Sequence, residues 1–350
     1  MKRRSMGISL AGLLAASVAS GACLAAASSP ALDDLTSYSL VRLDGGNAIP
    51  VTLDEAANTL KDYDVIVRGD FHDHPANHLA EMALFRALYG KAPRLALTLE
   101  MFERDVQPAL DDYLAGKIGE EVLKSRGRAW GNYSEAYRPL VEYAKARKLP
   151  VIAANAPASV VRCVGMEGPG FLATMPADKR NWAAAELHLH EGAYKDKFMR
   201  FLEEDGSHGP EDPTKTESEK KAQAERGFAS QVTRDDTMAE SIHLYLQKNP
   251  GAKVVHVTGN FHAESHLGTV ERLKLRAPNL RIAVVTPIAA ADPERPAVEA
   301  KDSSSGNFAV LLRATPARYA SKAEEDTAIE KMRAMFRGRP IARPCVLPAN

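Results

Sequence analysis

Residues 64–72 read DVIVRGDFH, and residues 253–262 read KVVHVTGNFH. Each is a β-branched run that stops at a glycine and is followed by a polar residue, a phenylalanine and a histidine. Short runs rich in Val and Ile bounded by Gly are strand signals. Three more short apolar runs read as strands: LALTL (95–99) ends at Glu100, PVIAA (150–154) at Asn155, and RIAVV (281–285) near Thr286 and Pro287. Between them lie helical patterns, including 75–89 and 133–147. Strands alternating with helices predict an α/β fold with a mostly parallel sheet flanked by helices. The near-continuous apolar character of the runs agrees, because parallel strands are buried on both faces. The run 307–312 is expected to add an edge strand. Residues 38–43 and 49–52, around Gly45-Gly46, are expected to form a hairpin.

Residues 176–231 interrupt this rhythm. A helix is expected over 178–203, followed by a charged, Gly/Pro-rich stretch (EEDGSHGPEDPTKTESEKK) that reads as a mobile loop over 206–216. The α/β core is therefore expected in two pieces, 28–175 and 232–315, separated by a helical insertion. Beyond 315, a surface helix over 320–336 and a Pro-rich tail over 337–350 complete the chain.

The first 27 residues read as a secretory signal. Lys2, Arg3 and Arg4 precede an apolar stretch from 8 to 18, and Ala25-Ala26-Ala27 gives a small-residue cleavage site. Ser20-Gly21-Ala22-Cys23 also fits a lipoprotein signal loosely, which would make Cys23 a lipid anchor to a membrane. Export to the periplasm or the outer membrane is the expected destination. Cleavage leaves Cys163 and Cys345, whose pairing spacing alone does not decide. No Cys-x-x-Cys pair is present, which excludes a cysteine zinc knuckle and covalent haem attachment. Formal net charge is +0, so no nucleic-acid partner is expected.

Open parallel sheets bind ligands outside the carboxyl ends of their strands. That rule turns the strand ends into a site: Asp70, His72 and His78 after the first run, Glu100 after the second, Asn155 after the third, Asn260 and His262 after the fourth. In the two similar motifs, the glycine at the strand end (Gly69, Gly259) permits a sharp turn and a close approach. Pro75 suits the first position of the next helix, with Asp73 or His74 as its cap. Imidazole and carboxylate together can ligate a divalent metal, with Asp70, His72 and His262 as the expected set, act in acid–base chemistry, or ligate haem iron. The other histidines read as structural: His188 and His190 on a solvated helical face, His208 in the loop, His243 in a helix, His256 inside a strand. Trp130, Tyr133 and Tyr137 have roughly helical spacing and are expected to pack in the core.

These motifs carry a resemblance. In order and spacing, VIVRGDFHDHPANH, LALTLEMFERDVQPALDDYLAG, WGNYSEAYRPLVEYAK, PVIAANAP, RDDTMAESI and VVHVTGNFHAESHLG resemble the ChaN-like haem-binding uptake proteins, within a superfamily that also includes Tiki proteases and erythromycin esterases. The similarity spans about 63–287. Two residues depart from the family's pattern: Asp70 stands where Glu is usual, and Phe261 where Gly is usual. The resemblance implies an exported protein that binds haem for haem or iron uptake, with a tyrosine on the iron. Tyr113, Tyr133 and Tyr137 are the candidates, and a homodimer around the ligand is expected. It equally implies an alternative: a metal-dependent or His-based hydrolase in which His72, Glu100 and His262 are catalytic.

Overall fold

The computed structural model describes residues 29–92, 94–205, 216–336 and 345–347. The expected strands are all present: β1 (Tyr38–Asp44), β2 (Asn47–Pro50), β3 (Val65–Asp70), β4 (Leu95–Glu103), β5 (Val151–Asn155), β6 (Lys253–Gly259), β7 (Ile282–Ala290) and β8 (Phe308–Arg313). They form one sheet in the order β2-β1-β8-β7-β3-β6-β4-β5. The six strands from β8 to β5 run parallel, and the β1–β2 hairpin closes one edge antiparallel.

Both faces of the sheet are covered, for the reason visible in the strands. Successive side chains point to opposite faces. Ile66 joins Leu97, Leu99, Val255 and Val257 under the helices Leu53–Leu60 and Pro75–Tyr89. Val65 and Val67 join Val254 and Val284 on the other face, under Ile242 of the long helix Glu217–Lys248 and Leu273 of Thr269–Arg276. The exposed edge β5 is shielded by one side chain. Gln107 accepts from the Ala153 N–H at 2.7 Å and donates to the Val151 carbonyl at 3.0 Å, taking groups that another strand would otherwise pair.

The expected helix over 178–203 is not continuous. A short 3-10 turn (Arg180–Trp182) is followed by irregular chain, and a helix resumes at Ala193–Asp205. The reason is competition for the backbone. The Arg180 guanidinium takes the carbonyls of Ala183, Ala184 and Ala185, and Asp236 takes the His188 N–H at 2.6 Å. His188 is thus no solvated helical residue: its Nδ1 lies 2.8 Å from the buried Asp236 carboxylate. The pattern over 133–147 likewise splits, at Tyr137, into Tyr133–Ala136 and Arg138–Ala146. The long helix Glu217–Lys248 runs through position 231, where the insertion was expected to end.

Cys163 and Cys345 are joined in a disulfide, Cα atoms 5.4 Å apart, tying the C-terminal segment to the helix Ala158–Glu167. The signal segment with Cys23, loop residues 206–215 including His208, and most of the Pro-rich tail lie outside the described residues. Among the described residues, no helix is long and apolar enough to cross a membrane.

Candidate functional site

β6 is inserted between β3 and β4, so the two similar motifs lie side by side, with Asp70 opposite Gly259 and Gly69 opposite Thr258. Each glycine leaves room for the other motif. A Cβ on Gly259 would sit 2.9 Å from His72 Nε2, and one on Gly69 would overlap the Asn260 side chain. The motifs therefore interlock, and the glycine in each is required by the polar side chain of the other.

The carboxyl ends of β3, β4 and β6 assemble one row of charged groups. His72 Nδ1 lies 3.0 Å from Asp70 Oδ2, and the Tyr137 hydroxyl donates to that same oxygen at 2.6 Å. His262 Nδ1 lies 2.8 Å from Asp235 Oδ1, and its Nε2 lies 3.6 Å from Glu100 Oε1. Glu100 accepts from the Gly259 N–H at 2.6 Å and the Thr258 hydroxyl at 2.7 Å. Asp235 is further held by the hydroxyls of Tyr194 (2.6 Å) and Thr269 (2.9 Å). The order is Asp70, His72, Glu100, His262, Asp235: three carboxylates separated by two imidazoles.

The electrostatics follow. Burial pushes the Glu100 pKa upward, but the two imidazoles, the Gly259 N–H and the Thr258 hydroxyl together hold it at about 2. Burial lowers His72 and His262, yet Asp70 and Asp235 respectively overcome it and raise both above the ordinary histidine value. His72 remains the accessible member, with its side chain 42% exposed against 9% for His262.

Behind this row lies a second network. His78 Nδ1 meets Glu81 at 2.9 Å and its Nε2 meets the His72 carbonyl at 2.8 Å. Asn77 bridges Asp70 and Glu81, and the fully buried Arg68 donates to Asn77 at 2.7 Å. Burial opposes the charge on His78, but Glu81 and Asp70 raise its pKa to about 9. Among the described residues, the one set of three donors close enough to share a cation is Asp70, His78 and Glu81. The expected set of Asp70, His72 and His262 is not gathered in that way. His78 has both ring nitrogens engaged and Asp70 and Glu81 are bound to Asn77, so this cluster reads as an internal charge network.

The sequence-expected residues divide accordingly. Asp70, His72, Glu100 and His262 meet in the row, and His78 supports it from behind. Asn260 accepts from Thr286 at 2.9 Å and donates to Glu264, bracing the second motif. Asn155 lies apart: it pairs in register with Glu103, and its buried Oδ1 has no hydrogen-bond partner. His74 is the helix cap by position, but its side chain makes no capping bond; Nε2 instead donates to the Arg313 carbonyl at 2.7 Å. Asp235, Tyr194 and Glu81 were not anticipated. Asp235 sits mid-helix in a polar stretch, where a carboxylate reads as surface, and only packing buries it.

Haem is the group the resemblance implies, and the donor set tests the fit. The three tyrosines do not fit. Tyr113 gives its hydroxyl to Glu142 and Tyr137 to Asp70; Tyr133 is completely buried. Burial pushes all three pKa values up, against the phenolate that an iron would need. His72 does fit. Its Nδ1 is held by a carboxylate, as in metal-ligating imidazoles, and among the described residues its Nε2 makes no hydrogen bond. It lines a cleft of about 600 Å³ with Phe71, Gly259, Phe261 and His262, and also a neighbouring cleft of about 450 Å³ with Leu79, Met82 and Pro139.

Three comparisons bear on this architecture. The family described as haem-binding uptake, Tiki superfamily, ChaN, matches residues 56–273. The fold resembles that of ChaN of Campylobacter jejuni, a structure described as showing cofacial haem binding. The two are 14% identical, with 79% of this chain and 97% of that chain covered and a TM-score of 0.57. An erythromycin esterase aligns at 15% identity over 84% of this chain and 87% of that one, with a TM-score of 0.41. Among curated sequences, the chloroplastic RETICULATA-RELATED 5 protein of Arabidopsis thaliana is 36% identical over 76 residues, covering 21% of this chain and a tenth of that protein's length. With more than half of its length matched, and with the strand-end row inside the matched span, this chain belongs to the ChaN-type haem-binding uptake family of the Tiki superfamily.

Proposed function

We propose that this protein binds haem at the strand-end cleft, with His72 as iron donor, and that it is exported to serve haem or iron uptake. The observation that carries the reading is the state of His72: an imidazole anchored by Asp70 at Nδ1, with no hydrogen bond at Nε2 among the described residues, on the wall of a cleft in a chain of the haem-binding family. Bound iron supplies a Lewis acid that accepts the imidazole lone pair. Asp70 and Tyr137 orient the ring, and Gly259, lacking a Cβ, leaves room beside Nε2. Export is supported by the signal-like first 27 residues and by the Cys163–Cys345 disulfide, since disulfides persist in oxidising compartments. Cys23 as a lipid anchor and a second copy of the chain around the ligand belong to the same proposal. Titration of the purified protein with haemin should give a saturable Soret shift that His72→Ala abolishes. A flat titration of the parent protein would refute the reading.

A hydrolytic second reading rests on the row itself. Glu100 between two Asp-backed imidazoles is an arrangement that can hold and move a proton at His72 Nε2 or His262 Nε2. Ester and peptide panels, assayed with the parent protein and with His72→Ala, test it. Turnover that persists in the variant, or is absent from both, removes this reading.

A further inference from the structure

The two motifs share more than glycine and histidine. Each carries a phenylalanine immediately before its histidine, Phe71 and Phe261, and both half-buried rings line the 600 Å³ cleft.

The rest of the chain is built to hold the Phe261 ring. The helix Ala193–Asp205 turns one face toward it: Tyr194, Lys197, Phe198 and Phe201 follow the i, i+3, i+4, i+7 spacing of a single helical stripe. The Tyr194 ring lies 5.9 Å from that of Phe261, and Phe201 lies 5.3 Å from it. The Lys197 ammonium caps the Phe261 ring at 4.2 Å and donates to its carbonyl at 2.9 Å. Phe198 joins Tyr194 in the cluster under the helix. On the opposite motif, Phe71 packs against the main core. Phe201, in contact with the Phe261 ring, leaves 42% of its surface in solvent. Phe201 thus continues the ring surface of Phe261, which lines the cleft, out toward solvent.

We propose that Phe71 and Phe261, with Phe201 extending the second wall, are the specificity determinants of the cleft, and that they select a flat conjugated macrocycle by its ring faces. Buttressing matters because a side chain already fixed before binding loses little freedom when the ligand arrives. The inference rests on the haem reading but separates from it chemically: His72 would recognise iron, and the phenylalanines would recognise the ring.

Two probes divide these roles. Haemin carries both features; metal-free protoporphyrin IX carries only the ring. The variants are Phe261→Leu, which keeps apolar bulk and loses the flat face, Phe201→Ala, at a partly exposed position outside the buried core clusters, and His72→Ala. We expect Phe261→Leu and Phe201→Ala each to weaken both probes about tenfold, the effect of about 1.4 kcal/mol of lost aromatic contact. His72→Ala should abolish the iron-dependent Soret shift and weaken haemin far more than it weakens protoporphyrin. If the parent binds haemin and neither phenylalanine variant changes either probe, the aromatic inference is overturned and the haem reading stands. If protoporphyrin binding requires His72, the division of roles is wrong. If the parent binds neither probe, both readings fall.

Discussion

The strongest quantitative consequence of the site concerns His78, which is charged inside the protein well above its ordinary pKa. Its unfolded value is near 6.5 and its folded value about 9, raised by Glu81 and Asp70 against the opposing effect of burial. The sign follows from proton binding. Between these two values the folded chain holds a proton that the unfolded chain has released. The stabilisation is therefore complete below pH 6.5 and is lost as pH rises through 9. A difference of about 2.5 units, at 1.36 kcal/mol per unit, corresponds to roughly 3 kcal/mol. Because the side chain is only 9% exposed, solvent screening removes little of it. His72 and His262 are shifted in the same direction, so the parent protein should lose stability over this range at about 1.4 kcal/mol per pH unit or more. Glu81 is itself pushed up by burial and by Asp70, and would take up a proton if His78 were neutralised. The clean perturbation is thus His78→Gln/Glu81→Gln, near-isosteric at both positions and titrating at neither. Urea unfolding at half-unit intervals from pH 6.5 to 9 should show a slope shallower by about 1.4 kcal/mol per unit in the double variant. Parallel stability curves for the two proteins would refute the assignment of that proton to His78.

Four further outcomes are expected. Haemin affinity should rise with pH above about 6.5, because Asp70 holds a proton on His72 that iron must displace; a pH-independent Soret titration would contradict His72 as donor. Gly259→Ala should impair haemin binding much as His72→Ala does and cost roughly 1–3 kcal/mol of stability, read as the urea midpoint, because the new methyl overlaps an imidazole that Asp70 and Tyr137 hold in place. On the acid side, His256 is fully buried and its pKa is driven down to about 4, so the unfolded chain binds a proton there before the folded one does. Stability should fall as pH drops from 6.5 toward 4, and His256→Leu should flatten that limb in thermal melts at matched ionic strength. Cys163→Ser/Cys345→Ser should lower stability by roughly 2–4 kcal/mol, read as the urea midpoint, since the bond closes a sequence separation of 182 residues; dithiothreitol should reproduce the effect in the parent protein and not in the variant.

The strands were legible because their signal is local. A β-branched run bounded by glycine carries its strand signal in adjacent residues, and Pro75 together with the apolar spacing beyond it marked the helix Pro75–Tyr89 to the residue. The site was legible to the same depth. Asp70, His72, Glu100 and His262 follow strand ends, and a parallel sheet has one ligand-binding edge. Where side chains compete with backbone, the local signal failed. Arg180 and Asp236 pull the chain around 183–192 out of the helix that its composition favours. Asn155 also follows a strand end, yet its strand lies at the sheet edge, away from the row.

Sequence by itself determined which residue types stand at the carboxyl ends of these strands, because strand limits and glycine turns are set by neighbours along the chain. It could not determine that β6 inserts between β3 and β4. That placement alone puts Gly69 against Asn260 and Gly259 against His72, turning two distant motifs into one interlocked cleft. Nor could it reveal that Asp235, a polar residue in the middle of a long helix, faces inward as the anchor of His262. Ring orientation, proton occupancy and burial depend on groups brought together from distant parts of the chain, and the energies that decide them exist only once the chain has folded.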